Sequence, residues 1–418
     1  MVLRLKILFI ALFVFCASVG AQQIQQLSLI DAITEGLDKN YSILLARNNE
    51  QISSNNVTYG NAGMLPNVNL NSSAGSAVRT SGASNTWNAG VAMDWTVFDG
   101  FAMFANYDRL RELEMMGQEN LRAAIQQTIA TIMNVYFDIV SKQQEIEAYE
   151  HILRISRLRL TAANDRFLSG RVARVDVLSA QGDYNADTAS YIRQTEDLRK
   201  TKIQLNRLLA REITTDFYAS DSIIVDQTLS YGRINELAMA ENPDVMLSRM
   251  TVNVAALTLK SIEGSQYPRL SLTSSYTLAG PAGDRGLGTF NVGVSLRVPL
   301  YNGMNINRQI RNATIELESA QIRQEQIQKE IEAQVASSYS TYLVYRDLAA
   351  FEARNLGLAA ENLEISMDRY RLGATSAVEL RDVQRSYIAA TNRLIVATYN
   401  AKISETALKL LTGEILNF

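Results

Sequence analysis

The chain has 418 residues, with 40 basic and 43 acidic side chains, one histidine, one cysteine and a formal net charge of −3. This mild acidity, without a basic block, argues against nucleic acid as a partner. The single histidine and the lack of metal-ligand clusters, nucleophile motifs and phosphate-binding loops argue against an enzyme, and we expect no cofactor and no metal site.

The first 21 residues indicate a signal peptide for export. Arg4 and Lys6 precede an apolar run at 7–15, and small residues at 19–21 offer a cleavage site before Gln22. Cys16 follows Phe15 rather than a small residue, so we expect no lipid anchor at this cysteine. No later segment has the roughly 18 apolar residues of a membrane-spanning helix. An exported chain of this kind is either soluble or crosses a membrane with strands.

The chain contains an internal two-fold repeat that covers nearly its whole length. Landmarks in 98–212 recur 203 residues later, and a shift of 202 extends the correspondence upstream. Corresponding pairs include Tyr136 and Tyr339, Gly170 and Gly373, Leu208 and Leu411, and, at the shift of 202, Asn40 and Asn242. The repeat predicts one body of two similar halves rather than a catalytic domain with an appendage.

Each copy contains a long helix with apolar residues at seven-residue spacing, as in a coiled coil. The heptad positions are Ile125, Ile132, Ile139, Ile146, Leu153, Leu160 and Phe167, and then Val335, Tyr342, Ala349, Leu356, Leu363 and Tyr370. A helix over 101–165 would be roughly 100 Å long at about 1.5 Å per residue. We expect such helices to lie side by side in an elongated assembly.

A β-hairpin precedes each long helix. Apolar and polar residues alternate over 67–79 and 87–97, and again over 270–278 and 290–300. One face is apolar and carries both tryptophans, and the other is rich in Asn, Ser, Thr and Gly. Strands of this length can cross a bilayer at a tilt, with the polar face toward water. Two soluble hairpins packed on a core would show the same alternation.

These patterns define the expected order of segments along the chain. We expect a signal peptide at 1–21, a first-half helix at 22–66, a first hairpin at 67–98, a long helix with turn and return helix at 99–212, a connecting segment at 213–232, a second-half helix at 233–268, a second hairpin at 269–301, and a second long helix, turn and return helix at 302–418. Four strands do not close a barrel, and open edges in lipid leave backbone groups unpaired. Several copies must therefore pool their strands if the hairpins lie in a membrane.

At this point the chain resembles the TolC-type outer-membrane efflux proteins. The resemblance rests on the duplicated order of elements, on the turns at 166–170 and 369–373, and on the acidic stretches that follow them at 175–178 and 378–382. It implies a homotrimer with a shared twelve-stranded barrel in the outer membrane and an α-helical barrel in the periplasm. It further implies an exit duct for small molecules or proteins, partnered by a periplasmic adaptor and an inner-membrane transporter.

The resemblance also places the functional residues at the two helical turns. It implies a pore constriction or gate formed by Tyr370, Glu379, Asp382 and Asp176. It implies adaptor contacts at Arg166, Phe167, Gly170, Arg369, Leu372 and Gly373. Thr375 stands where the family has an arginine of the gate, and Arg371 is a candidate to replace that arginine.

Two alternatives remain open. Glu379 and Asp382 lie three positions apart and so share a helix face, where they would give a trimer six carboxylates around one axis. Acidic residues are equally favoured as a solvated helix start. For the whole chain, the alternative to a channel is an exported trimeric coiled-coil scaffold of the cell envelope, with the hairpins as oligomerisation caps.

Overall fold

A computed structural model describes residues 25–80 and 82–416. The expected signal peptide, with Cys16, lies outside the described residues. The chain divides into two compact units, and each of the two longest helices runs from one unit into the other. The turn unit contains the described residues of 1–41, 127–229 and 337–410, and the sheet unit contains those of 42–126, 230–336 and 411–418.

The helices and strands follow the same order twice along the chain. The elements are β1 (Gln25–Leu27), α1 (Leu29–Lys39), α2 (Tyr41–Asn55), β2 (Asn67–Arg79), β3 (Gly82–Phe98), α3 (Ala102–Leu168), α4 (Arg174–Leu208), β4 (Phe217–Ala219), α5 (Tyr231–Glu241), α6 (Pro243–Glu263), β5 (Arg269–Pro281), β6 (Leu287–Arg297), α7 (Asn305–Arg371) and α8 (Ala377–Leu411). The helices α3 and α7 both have 67 residues, and α4 and α8 both have 35. Among the described residues, no helix combines the length and apolar character needed to cross a membrane.

The predicted first-half helix is wrong as a single helix, because Asn40 interrupts it. Asn40 has an extended backbone, with φ −63° and ψ 127°, and its side-chain amide donates to the Leu208 carbonyl at 2.8 Å. The second helix ends at Asn55, well before the expected end of the segment at 66, and turns follow. There the Asn61 amide donates to the Asn56 carbonyl at 2.9 Å, a local bond that competes with helix formation.

The second-half helix is interrupted in the same way at Asn242. This residue also has an extended backbone, and its amide donates to the Leu411 carbonyl at 3.0 Å. Its side-chain oxygen accepts from the Asp244 backbone N–H at 2.9 Å and so caps α6. Pro243 disfavours helical geometry at the residue before it. The break at Asn40 coincides with a contact to a distant carbonyl, and the break at Asn242 with the local effect of Pro243. The apolar periodicity reveals neither break.

The apolar residues at heptad spacing are buried to different extents in the two long helices. In α3, Ile132 and Ile139 are buried, but further along the buried side chains are Ile152 and Ile155 rather than the heptad residue Leu153. In a straight helix, residues seven positions apart are rotated by about 20° about the helix axis. After several heptads, residues at this spacing therefore no longer lie on the buried face. In α7 the first two and the last two heptad residues are buried, namely Val335, Tyr342, Leu363 and Tyr370.

The connecting segment contains a short strand that the sequence patterns did not indicate. In the turn unit, β4 pairs in parallel with β1, with Leu27 opposite Ala219. The buried Tyr136 hydroxyl lies 2.6 Å from an Asp221 carboxylate oxygen and 2.8 Å from the Leu27 carbonyl oxygen. Burial, with the Asp221 charge, raises the pKa of Tyr136. The segment is thus fixed to α3 by a buried hydroxyl.

The four long strands of the sheet unit form one antiparallel sheet in the order β2-β3-β5-β6. Its register aligns Leu70 with Val91, Val91 with Tyr276, and Tyr276 with Phe290, so the apolar residues of all four strands share one face. Both hairpins therefore occur where the alternation predicts them. Strands β2 and β6 are the edges of this sheet.

Candidate functional site: an exposed apolar sheet face and two helical turns

The apolar face of the sheet is open to solvent in the single chain. Leu70 on β2 is 77% exposed and Val294 on β6 is 71% exposed, and Phe290 and Leu296 are exposed as well. Two hairpins packed on a soluble core would bury these side chains, so that alternative does not describe the sheet. An apolar face of this extent requires another apolar surface against it.

The two helical turns of the turn unit have the same backbone geometry. After α3, the Gly170 N–H donates to Phe167 at 2.9 Å and the Arg171 N–H to Arg166 at 2.8 Å. After α7, the N–H groups of Gly373 and Ala374 donate to the carbonyls of Tyr370 and Arg369 at 3.0 and 2.8 Å. This is the Schellman pattern, and both glycines have the positive φ that it requires, +73° and +79°.

Arg166 and Tyr370 join the first turn to the second. The Arg166 guanidinium donates to the Tyr370 carbonyl at 2.6 Å and stands 4.7 Å from the centre of the Tyr370 ring. Tyr370 is itself buried in a cluster with Ile152, Leu363 and Leu380. Among the residues expected to contact an adaptor, Arg166 is therefore half-buried against its own chain.

Two acidic residues next to the turns, Glu379 and Asp176, lie in the first turns of the return helices. Glu379 lies in the first turn of α8, where its backbone N–H donates to Ser376 Oγ at 3.1 Å. Asp176 occupies the same place in α4, and its carboxylate accepts from the Ala173 N–H at 3.1 Å. These contacts are those of a helix start, the alternative left open by the sequence.

The carboxylate of Glu379 also joins the second turn to its helix. Thr375 Oγ1 donates to Glu379, and Arg369 lies 3.6 Å from it in an exposed ion pair. Asp382 lies one turn further along, exposed, and within the described residues its carboxylate makes no ion pair. Arg371 pairs with Asp368 of its own helix at 3.1 Å in an exposed ion pair, and its replacement of the missing gate arginine stays a prediction.

The tips of both turns present apolar side chains to solvent. Leu168 is 82% exposed and Leu372 is 84% exposed. Val175 and Val378 beyond them are exposed too, and Phe167 is partly so. Leu372 thus lies where a contact with another protein is sterically open.

A buried ionic cluster on three helices was missed by the sequence reasoning. The Arg381 guanidinium of α8 binds both carboxylate oxygens of Asp187 on α4, at 2.7 and 2.8 Å, and lies 3.4 Å from Asp183. On α3, Ser156 donates to Asp187 at 2.6 Å, and Arg159, whose side chain is 2% exposed, pairs with Asp183. The hydrogen bonds to Asp187 raise the pKa of Arg381. The i, i+4 spacing of Asp183 and Asp187 is a visible signal, but it does not identify the arginine.

The fold is that of solved outer-membrane channel proteins. Superposition on the structure of CusC, whose transmembrane channel formation has been described, gives a TM-score of 0.78 at 17% identity, covering 94% of this chain and 95% of that chain. The combination of long helices and a few long strands is therefore an architecture that this chain shares with CusC.

The chain belongs to the outer membrane efflux protein family, whose model matches it twice, at residues 32–211 and 235–414. The outer membrane efflux protein BepC of Brucella suis is 24% identical over 93% of this chain and 86% of its own length. The outer membrane protein TolC of Escherichia coli is 22% identical over 79% of this chain and 70% of its own length. The resemblance drawn from the turns is confirmed, and the protein is placed in the outer membrane.

Proposed function

We propose that three copies of this chain form an outer-membrane exit duct. In this proposal the three sheets close into one twelve-stranded barrel, and the helices continue the passage as a tunnel in the periplasm. Small molecules or proteins, delivered by an inner-membrane pump through a periplasmic adaptor, leave the cell through it without energy input from the duct. Membership of the outer membrane efflux protein family supports the class of function.

The observation that carries the proposal is the sheet with an exposed apolar face and two open edges. In lipid the apolar face is stabilised, but each unpaired backbone group on β2 and β6 costs several kcal/mol. Pairing β6 of one copy with β2 of the next removes both edges and encloses the polar face as a wet lumen. The number of three comes from the resemblance to the TolC-type proteins.

The helical turns form the inner end of the duct in this proposal. Glu379 and Asp382 of three copies would surround one axis with six carboxylates, with Tyr370 and Asp176 nearby, and so favour cations. The exposed tips at Phe167, Leu372 and the two turn glycines would meet the adaptor. Arg369, bound to Glu379, would connect adaptor binding to the constriction.

Extraction and conductance test the proposal against the scaffold alternative. A duct should stay in the membrane fraction after washing with concentrated salt and require detergent for release, whereas a scaffold should wash off. The purified protein should have three times the mass of one chain and conduct ions in a planar bilayer. A monodisperse monomer that stays soluble without detergent would overturn the proposal.

A further inference from the structure

Two arginines face each other at the end of the sheet that joins the helices. Arg269, the first residue of β5, is directly opposite Arg297, the last residue of β6. Both side chains are exposed. Like charges at opposed positions in a ladder repel and destabilise the sheet. The pair therefore works against the stability of the sheet in which it lies.

No carboxylate among the described residues neutralises this pair. The Arg269 guanidinium donates to the neutral Thr96 Oγ1 at 2.8 Å, and neither arginine forms an ion pair. Asp94 is the only acidic residue of the four strands, and it is opposite Thr273. Four residues separate Thr273 from Arg269, which is roughly 13 Å along a strand. Asp99, just beyond β3, accepts from the Met103 N–H at 3.1 Å and caps α3.

The register places both arginines on the polar face of the sheet. Arg269 alternates with the apolar Leu270 and shares its face with Ser271, Thr273 and Ser275, while Arg297 shares that face with Ser295. The apolar face, which would contact lipid, lies on the other side. In a closed barrel both arginines would therefore face the lumen.

We propose that Arg269 and Arg297 form an anion-attracting belt inside the barrel, which favours cargo carrying carboxylate, phosphate or other anionic groups. The inference rests on the proposed trimeric duct, in which the pair becomes six guanidinium groups at one level. Guanidinium is always charged and binds carboxylate and phosphate through two parallel hydrogen bonds. The belt acts on cargo that has already passed the acidic residues of the helical turns.

The dimensions of such a barrel bring the belt within electrostatic reach of its axis. Twelve strands about 4.8 Å apart, tilted by about 40°, give a wall radius of about 12 Å. An extended arginine side chain covers roughly half of that radius. The distance from the charges to the axis is then shorter than the Debye length at physiological salt, which is about 8 Å. It is longer than the Debye length at 1 M salt, which is about 3 Å. The effect on ions should therefore be strong at low salt and weak at high salt.

Reversal potentials of the purified full-length protein in planar bilayers test the inference. The variant is Arg269→Gln with Arg297→Gln, and bilayers of zwitterionic lipid alone remove anionic headgroups as a source of the effect. We expect the K⁺/Cl⁻ permeability ratio to rise at least about threefold at about 0.1 M salt, and the difference to vanish near 1 M. The charge-preserving variant Arg269→Lys with Arg297→Lys should match the wild type, and so should Arg285→Gln in the loop between β5 and β6.

A second measurement does not depend on the folding of a variant. Inorganic triphosphate added on the barrel side of the wild-type channel should reduce its conductance more than the same amount added on the helix side. A conducting channel with an unchanged permeability ratio in the glutamine variant, or equal block from both sides, would overturn the belt. Wild-type protein without conductance would instead overturn the proposed duct, so the two failures are distinguishable.

Discussion

Removing the charge of Arg381 is expected to loosen the start of α8. The substitution Arg381→Gln leaves the Asp187 carboxylate buried with only the Ser156 hydroxyl, and leaves Asp183 to Arg159. Breaking a buried ion pair by removing one partner costs about 3–5 kcal/mol. Because Ser156 keeps its hydrogen bond, the lower value, about 3 kcal/mol, applies. Since 1.4 kcal/mol is a factor of ten, local opening should become about 100-fold more frequent.

Hydrogen–deuterium exchange of the purified protein in detergent measures this opening, because exchange from a locally opened helix reports its free energy. Amides in the first three turns of α8 should exchange about 100-fold faster in Arg381→Gln, and those near Ala401 should not change. Arg385→Gln, one turn further on α8 and exposed, is the matched control. Exchange of Arg381→Gln equal to that of Arg385→Gln would refute the energetic role of the cluster.

Removing both charges should cost less than removing one. In Arg381→Gln with Asp187→Asn no unpaired charge remains between the helices, so part of the lost protection should return. If the double variant exchanges as fast as Arg381→Gln, the unpaired Asp187 carboxylate is not the cause of the loosening.

Three further outcomes can be measured on the same preparation. Glu379→Gln with Asp382→Asn should abolish a cation preference in planar bilayers, and an unchanged permeability ratio would remove these residues from the constriction. Gly373→Ala should destabilise the second turn by about 1–2 kcal/mol, because its φ is +79°, whereas Gly357→Ala inside α7 should stabilise by up to about 1 kcal/mol. Amide exchange around Gly373 and around Gly357 would contradict this if both substitutions changed the local stability in the same direction. Burial raises the pKa of Glu145, and the nearby charge of Lys142 only partly offsets this effect. The ionised carboxylate therefore lowers the stability of the folded state at neutral pH. This loss disappears as the pH falls through the pKa of the folded state. Glu145→Gln should therefore raise Tm at pH near 7 and not at pH near 4, and an equal shift at both values would be the contrary result.

The strands could be predicted from the sequence because their pattern is local. In β5, Leu270, Leu272 and Tyr276 alternate with Ser271 and Thr273, and no helix places such residues on one face. The turns could also be predicted, since a glycine follows each series of heptad-spaced apolar residues. The four long strands of the sheet unit therefore follow from periodicity alone.

The break at Asn40 and the small parallel sheet could not be predicted in this way. Asn40 keeps the apolar spacing on both sides of it, and its effect depends on the Leu208 carbonyl, 168 positions away. Strand β4 has three residues and exists only because β1 lies beside it. Such features depend on partners that no window of the sequence contains.

The sequence did not reveal the buried ionic cluster for a third reason. Arg381 stands within the acidic stretch 378–382, where its neighbours suggest a solvated helix start. Its burial is decided by the rotation of α8 about its own axis, which brings Asp187 of α4 within hydrogen-bond distance. A drift of about 20° per heptad accumulates over a helix of this length, so the facing residues cannot be read from the spacing.

The open edges of the sheet have a consequence for genetics. An isolated copy is unsuited to both solvents, since water disfavours its apolar face and lipid disfavours its unpaired β2 and β6. In the proposed duct, membrane insertion and association therefore have to occur together, because each copy completes its neighbours. A mutant allele with one damaged edge would inactivate every ring that includes its product, so such alleles should be dominant over the wild type.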